Sequence, residues 1–253
     1  MKGKIVMIHK KAYLIICTLL AAASVFAADD AVKNNSTEMN RTLSTAVREN
    51  GGEIRVLIMG NSIALHAPAP NIGWTNNWGM AASAGEKDFA HLTISGIEKR
   101  TGKKADYRIR NVCAMEKGFL TGYVIAKSQA EDISWKPDYV VIAPGENVAS
   151  FKDAGEEEAW GKALYDLGKV YKEANPAAKI VYRSVFWPNE TKHRLAKEAA
   201  AKLGAAFADL GSRGNDRAMQ AHDAGFSHVG VANHPGDAGM AMQAETILKA
   251  LFD

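Results

Sequence analysis

Cysteine is nearly absent from this 253-residue chain: there are two, Cys17 and Cys113. Cys17 falls in an N-terminal stretch that reads as a removable leader, which leaves Cys113 as the only mature thiol. An intrachain disulfide and a cysteine zinc cage are therefore excluded, and packing alone must hold the core. Long apolar runs are missing too. The run from Ala12 to about Ala23 is shorter than the ~20 residues that span a bilayer. Lys2, Lys4, Lys10 and Lys11 flank it on the N-terminal side, and Val25-Phe26-Ala27 supplies small residues at the −3 and −1 positions of a cleavage site. This layout predicts a secretory signal over 1–27, export to the periplasm or the medium, and no stable membrane insertion afterwards.

Excess positive charge disappears with the leader. Without its four lysines, the 31 basic side chains fall to 27 against 28 acidic, and the net charge moves from +3 to about −1. No basic patch remains to recommend a nucleic-acid partner. The sequence also lacks internal repeats and low-complexity segments. What it has is 47% hydrophobic residues, which suits a globular core.

Residues 28–52 are polar, with Asn34, Asn35, Ser36 and Thr37 leading to Gly51-Gly52, and read as a tether or loosely packed helix. From 53 to 253 a regular alternation begins. Strand-length apolar runs occur at Ile54–Met59, Tyr107–Val112, Tyr139–Ala143, Ile180–Phe186 and Ala205–Leu210. Helix-like stretches separate them: Trp78–Thr101, Lys117–Ile133, Gly155–Ala174, Glu190–Leu203 and a final Asp237–Phe252. Trp160, Leu164, Leu167 and Tyr171, spaced by three and four, give the third of these an apolar face. Five strands alternating with helices predict an α/β fold, a flavodoxin-like three-layer α/β/α sandwich on a five-stranded parallel sheet. In such sheets functional groups gather beyond the carboxyl ends of the strands.

Three strand-end segments carry candidate chemistry. The first strand runs into Gly60-Asn61-Ser62-Ile63, where a tight turn can project the Ser62 hydroxyl into a crevice. The same loop lacks the dinucleotide fingerprint and a Walker lysine, which disfavours a nucleotide-binding domain, and no cofactor or metal is called for. The third strand ends at Ala143-Pro144-Gly145-Glu146-Asn147, and the Asn147 amide can donate to an oxyanion or merely serve a turn. Near the C-terminus, Asn233-His234-Pro235-Gly236-Asp237 holds His234 in a rigid loop, with Asp237 as expected N-cap of the last helix.

Together these segments resemble the SGNH (GDSL-like) hydrolase family, whose four blocks supply Ser, Gly, Asn and His in that order, across about 55–252. The resemblance implies Ser62 as nucleophile and His234 as general base. It implies Gly79, in Trp78-Gly79-Met80-Ala81, as a backbone oxyanion donor beside the Asn147 amide and the Ser62 N–H. Two positions depart from the pattern. Asn61 stands where the family often has Asp, and Val231 occupies the place, three before the histidine, of the triad acid. Either Asp209, Asp223 or Glu146 substitutes, or a backbone carbonyl orients His234 in a Ser–His dyad. If the loop follows the family, Val231→Asp should be tolerated.

Trp74, Trp78 and Trp187 fall near the expected crevice, and Trp74 and Trp187 are candidate substrate contacts, since indole faces suit sugar rings or aromatic groups. The expected partner is thus a small-molecule or polysaccharide ester, with acetyl groups on carbohydrate the first choice. Lipid, thioester and aryl esters are the alternatives for an esterase or lipase. A noncatalytic carbohydrate-binding protein on the same fold is the competing class.

Overall fold

The computed structural model describes residues 52–253 and the backbone of Arg48–Glu49. The expected signal at 1–27 and nearly all of the polar extension at 28–52 lie outside the described residues. Arg48–Glu49 forms a two-residue strand, β1, antiparallel to β3 at the sheet edge, so this end of the extension is neither tether nor helix. The remaining strands are β2 (Ile54–Gly60), β3 (Ala105–Asn111), β4 (Tyr139–Ile142), β5 (Lys179–Arg183) and β6 (Ala206–Ala208). They are mutually parallel and the sheet order is β1-β3-β2-β4-β5-β6.

Strand side chains alternate between faces, and each face builds its own core. Val56, Ile58, Ile109, Val141 and Val181 point to one side, against α1 (Phe89–Thr101) and the last helix, α8 (Asp237–Phe252). Leu57, Met59, Val140, Ile142 and Ile180 point to the other, against α5 (Ala154–Ala174) and α6 (Glu190–Leu203). The result is a three-layer α/β/α sandwich. Each fully buried aliphatic or aromatic side chain contributes roughly 1.5–3 kcal/mol by leaving water. Among the described residues no helix is long and apolar enough to cross a membrane.

Two helices differ from the sequence expectation. The stretch from Trp78 becomes helical only at Phe89, because Asp88 caps α1 by accepting from the His91 N–H at 2.8 Å. The stretch at 117–133 breaks into α2 (Cys113–Gly118), α3 (Ile125–Ser128) and α4 (Ala130–Trp135) around Gly118 and Gly122, the latter at φ 100°. At the start of α8 the cap is Gly236 rather than Asp237. The Asp237 carboxylate instead accepts from the Ser83 N–H at 2.8 Å, the Ser83 hydroxyl at 2.7 Å and Lys87 at 3.0 Å, tying the helix to the Gly79 loop.

Candidate active site

Ser62 sits just beyond β2 in a turn that its neighbour Asn61 shapes. The Asn61 side-chain oxygen accepts from the Ile63 N–H at 3.2 Å, and its carbonyl accepts from Ala64 and Leu65, both at 3.0 Å. His234 follows the short helix α7 (Val229–Ala232), 172 residues further along the chain. The two meet at the carboxyl edge of the sheet, with Ser62 Oγ 2.8 Å from His234 Nε2. The other ring nitrogen, Nδ1, lies 2.6 Å from the Gly230 carbonyl oxygen. A carbonyl can only accept, so Nδ1 carries the hydrogen and Nε2 is left with the lone pair that receives the serine proton. Burial lowers the His234 pKa, and nearby His66 lowers it further, against opposing effects of the Gly230 carbonyl and Glu146. The imidazole is thus neutral, as a base must be, at neutral pH.

None of the three substitute acids occupies the third position. Asp209 lies 3.7 Å from His193, and Asp223, 99% exposed, is 3.9 Å from Arg217. Glu146 is buried in an ion pair with Arg183 and accepts from the Phe186 N–H at 2.8 Å. Val231 is 0% exposed and packs with Trp74, Met80, Ala81 and Ala221. An aspartate there would sit in an apolar cluster, so the tolerance expected for Val231→Asp is withdrawn.

Two further expectations need correction. The Gly79 N–H donates to the buried Asp88 carboxylate at 3.0 Å and is therefore not free for an oxyanion. Its glycine identity answers to space: a Cβ there would meet the Ile63 carbonyl oxygen at 2.5 Å. Trp74 is 0% exposed, with Nε1 donating to the His66 carbonyl at 3.2 Å, and so belongs to the core rather than the substrate surface. Trp187 differs. It is half-buried and stands edge-on to the His234 ring at 5.4 Å between centroids, at an interplanar angle of 89°.

Asn147 is exposed on the loop after β4, and one hydrogen of its amide is donated to Glu116 at 2.7 Å. An amide nitrogen has two hydrogens, so one remains for a ligand. Glu116, on α2, was not singled out from the sequence. It is 1% exposed, and the Gly145 N–H (2.5 Å), Asn147 N–H (3.3 Å) and Asn61 Nδ2 (2.9 Å) all donate to its Oε1. Gly145, at φ 141°, adopts a backbone that favours glycine in presenting that N–H. Asn61 Nδ2 also reaches Glu146 at 2.6 Å, and Arg183 continues the chain of contacts to Gln243 on α8. Burial raises the Glu116 pKa, and the Glu146 charge raises it further, against the donors that favour the ionised form. The sequence clue to this network is Asn61: a neutral donor is what two converging carboxylates require.

No protein-family model matches the sequence, and no curated protein matches it. Solved structures do. A carbohydrate esterase family 2 enzyme with a carbohydrate-binding domain, from Corynascus thermopiles (Myceliophthora fergusii), is similar at 19% identity, over 80% of this chain and 67% of that one, with a TM-score of 0.52. A protein from Bacteroides uniformis described as a GDSL-like lipase is similar at 15% identity, over 78% of this chain and 95% of that one, with a TM-score of 0.51. At such identities the likeness is one of fold: the chain shares the architecture of these family 2 carbohydrate esterase and GDSL-like lipase structures.

Proposed function

We propose that this protein is an exported serine esterase that removes acyl groups, acetyl first among them, from carbohydrate. One observation carries the reading: the line Gly230 carbonyl, His234, Ser62, at 2.6 and 2.8 Å, in which each atom has the donor or acceptor state that general-base catalysis needs. Ser62 Oγ attacks the ester carbonyl carbon while His234 Nε2 takes its proton. The carbonyl π electrons move onto oxygen, and the free Asn147 N–H and the Ser62 backbone N–H donate to it, each such donor contributing a factor of ~10²–10³. Collapse expels the alkoxide, which takes the proton from Nε2. Water then repeats the sequence on the acyl-serine, releasing the carboxylic acid and free Ser62.

With a carbonyl in place of a triad acid, ring orientation and tautomer are still fixed, while less negative charge supports the imidazolium. The carbohydrate part of the reading rests on Trp187 beside the base, on the leader, and on a fold shared with a carbohydrate esterase family 2 enzyme. An intact Ser–His pair disfavours the noncatalytic carbohydrate-binding alternative. The test is acetate release from a panel of acetylated glycans, together with fluorophosphonate labelling. Both should be present in the wild type and lost in a folded Ser62→Ala variant. Acetate release that survives in that variant, or an unlabelled wild type, would refute the proposal.

A further inference from the structure

The Glu116 carboxylate has no part in the Ser62–His234 pair, yet it is the most connected polar group near it. Its Oε2 accepts from Asn147 Nδ2, and its Oε1 accepts from the backbone of Gly145 and Asn147 and from Asn61, the residue before the nucleophile. On the opposite side of the same loop, Lys192 donates to the Gly145 carbonyl at 3.0 Å and the Val148 carbonyl at 2.5 Å. The N–H groups of the loop are thus gripped by a buried anion and its carbonyls by a half-buried cation. An exposed asparagine amide would otherwise turn freely about its terminal torsion.

Resting on the esterase reading above, we infer that Glu116 is the positioning residue of the oxyanion hole: it dictates which face of the Asn147 amide meets the substrate. A carboxylate accepts at both oxygens, so Asn147 can present only nitrogen to it, and the second N–H is left for the oxyanion. The assignment explains Asn61 as well. Where Glu116 and Glu146 converge, the Asp common at that position in the resembled family would be a third carboxylate, whereas Asn61 donates to both.

Glu116→Gln tests the inference at the level of single atoms. Backbone N–H groups cannot turn over, so the oxygen of the substituted side chain must stay opposite Gly145 and Asn147. Its NH₂ group is then forced against the Asn147 side chain, which must flip and present Oδ1, a lone pair, to the developing oxyanion. On purified mature protein with a small activated ester, kcat should fall by about 10²–10³-fold, the range for loss of an oxyanion donor, while KM changes by less than about threefold. In an Asn147→Ala background the same substitution should change kcat by less than about threefold, because the group it acts through is gone. Losses that multiply in the double variant, or a Glu116→Gln kcat within about threefold of wild type, would overturn the role of Glu116. An inactive wild type would overturn the esterase reading itself and the inference with it.

If Glu116→Gln does not fold, the wild type decides by NMR of the Asn147 side-chain amide, assigned by its loss in Asn147→Ala. One hydrogen shifted downfield and protected from exchange supports the inference. Two equivalent, rapidly exchanging hydrogens overturn it.

Discussion

Asn61→Asp changes one NH₂ group to oxygen and should be far more damaging than its size suggests. Asn61 Nδ2 lies 2.9 Å from a Glu116 oxygen and 2.6 Å from a Glu146 oxygen, at a site with no solvent exposure. Two unit charges about 4 Å apart repel by ~4 kcal/mol at an effective dielectric of 20, and here there are two such pairs. The group avoids that repulsion by taking up a proton. Protonating a carboxyl of ordinary pKa near 4 at pH 7 costs about 4 kcal/mol, at 1.36 kcal/mol per pH unit. Protonation therefore caps the penalty, and the acid's single O–H replaces only one of the two donated bonds. A loss of at least ~4 kcal/mol at pH 7 is a large part of the 5–15 kcal/mol typical of a domain.

The sign of the pH dependence is fixed by the same argument. A folded-state pKa raised above the unfolded value gives stability that is present below the unfolded pKa and lost as pH rises through the folded one. The penalty relative to wild type should thus shrink by about 1.4 kcal/mol per pH unit from pH 7 towards 5. Urea unfolding of both proteins at pH 5, 6 and 7 measures it directly. A penalty below about 1 kcal/mol at pH 7, or one that does not change with pH, would refute the account of Asn61 as the neutral donor between two carboxylates.

Other consequences are simpler to state. Because burial and His66 hold the His234 pKa below its ordinary 6.5, kcat/KM should fall on the acid side with a midpoint below 6.5; a midpoint above that value would contradict the buried neutral base. Trp187→Ala should reduce activity on acetylated oligosaccharides more than on a small activated ester, and equal losses would point to packing damage instead. Val231→Asp places a carboxylate without a partner among Trp74, Met80, Ala81 and Ala221 and should cost about 3–5 kcal/mol in denaturant unfolding at pH 7. A variant within about 1 kcal/mol of wild type would mean that the α7 loop can reorganise to solvate the acid.

How much of this was legible in the sequence depends on whether a signal is local. The boundaries of α6 and the start of α8 were, because turn and capping residues mark them: Asn189 and Gly204 bound α6, and Gly236 precedes α8. The start of α1 was missed because Asp88, a strong cap, lies inside a stretch whose apolar content continues upstream through Trp78 and Met80. Ser62 and His234 could be singled out together because both fall beyond strand ends or in rigid loops, where open α/β sheets gather their chemistry. Gly79 and Trp74 were misjudged because proximity in sequence to a motif says nothing about which way an N–H or an indole faces. Glu116 gave no local sign at all. Its partners are 29, 31 and 55 residues away, and only the unexplained Asn61 hinted that an acid waited across the sheet edge.

The distribution of charge around the site has an internal logic that joins its two departures from the resembled family. A triad places a carboxylate behind the base, where it supports the imidazolium. Here the sequence position of that acid holds Val231 and the imidazole leans on a carbonyl dipole, while Glu116 and Glu146 accept from Asn61 in the nucleophile turn and Glu116 accepts from Asn147. An anion separated from a developing oxyanion by a single amide would oppose catalysis if it stood alone. It does not: Arg183 is paired with Glu146, and Lys192 lies within the electrostatic reach of both Glu116 and Glu146. Two cations balance two anions, so an oxyanion held by the Asn147 amide, as proposed, would have no net negative field behind it. On this reading Glu116 contributes orientation, while the Glu146 charge also raises the His234 pKa against burial. The half-buried Lys192, whose pKa burial depresses, is then as much a condition of the arrangement as Glu116 itself.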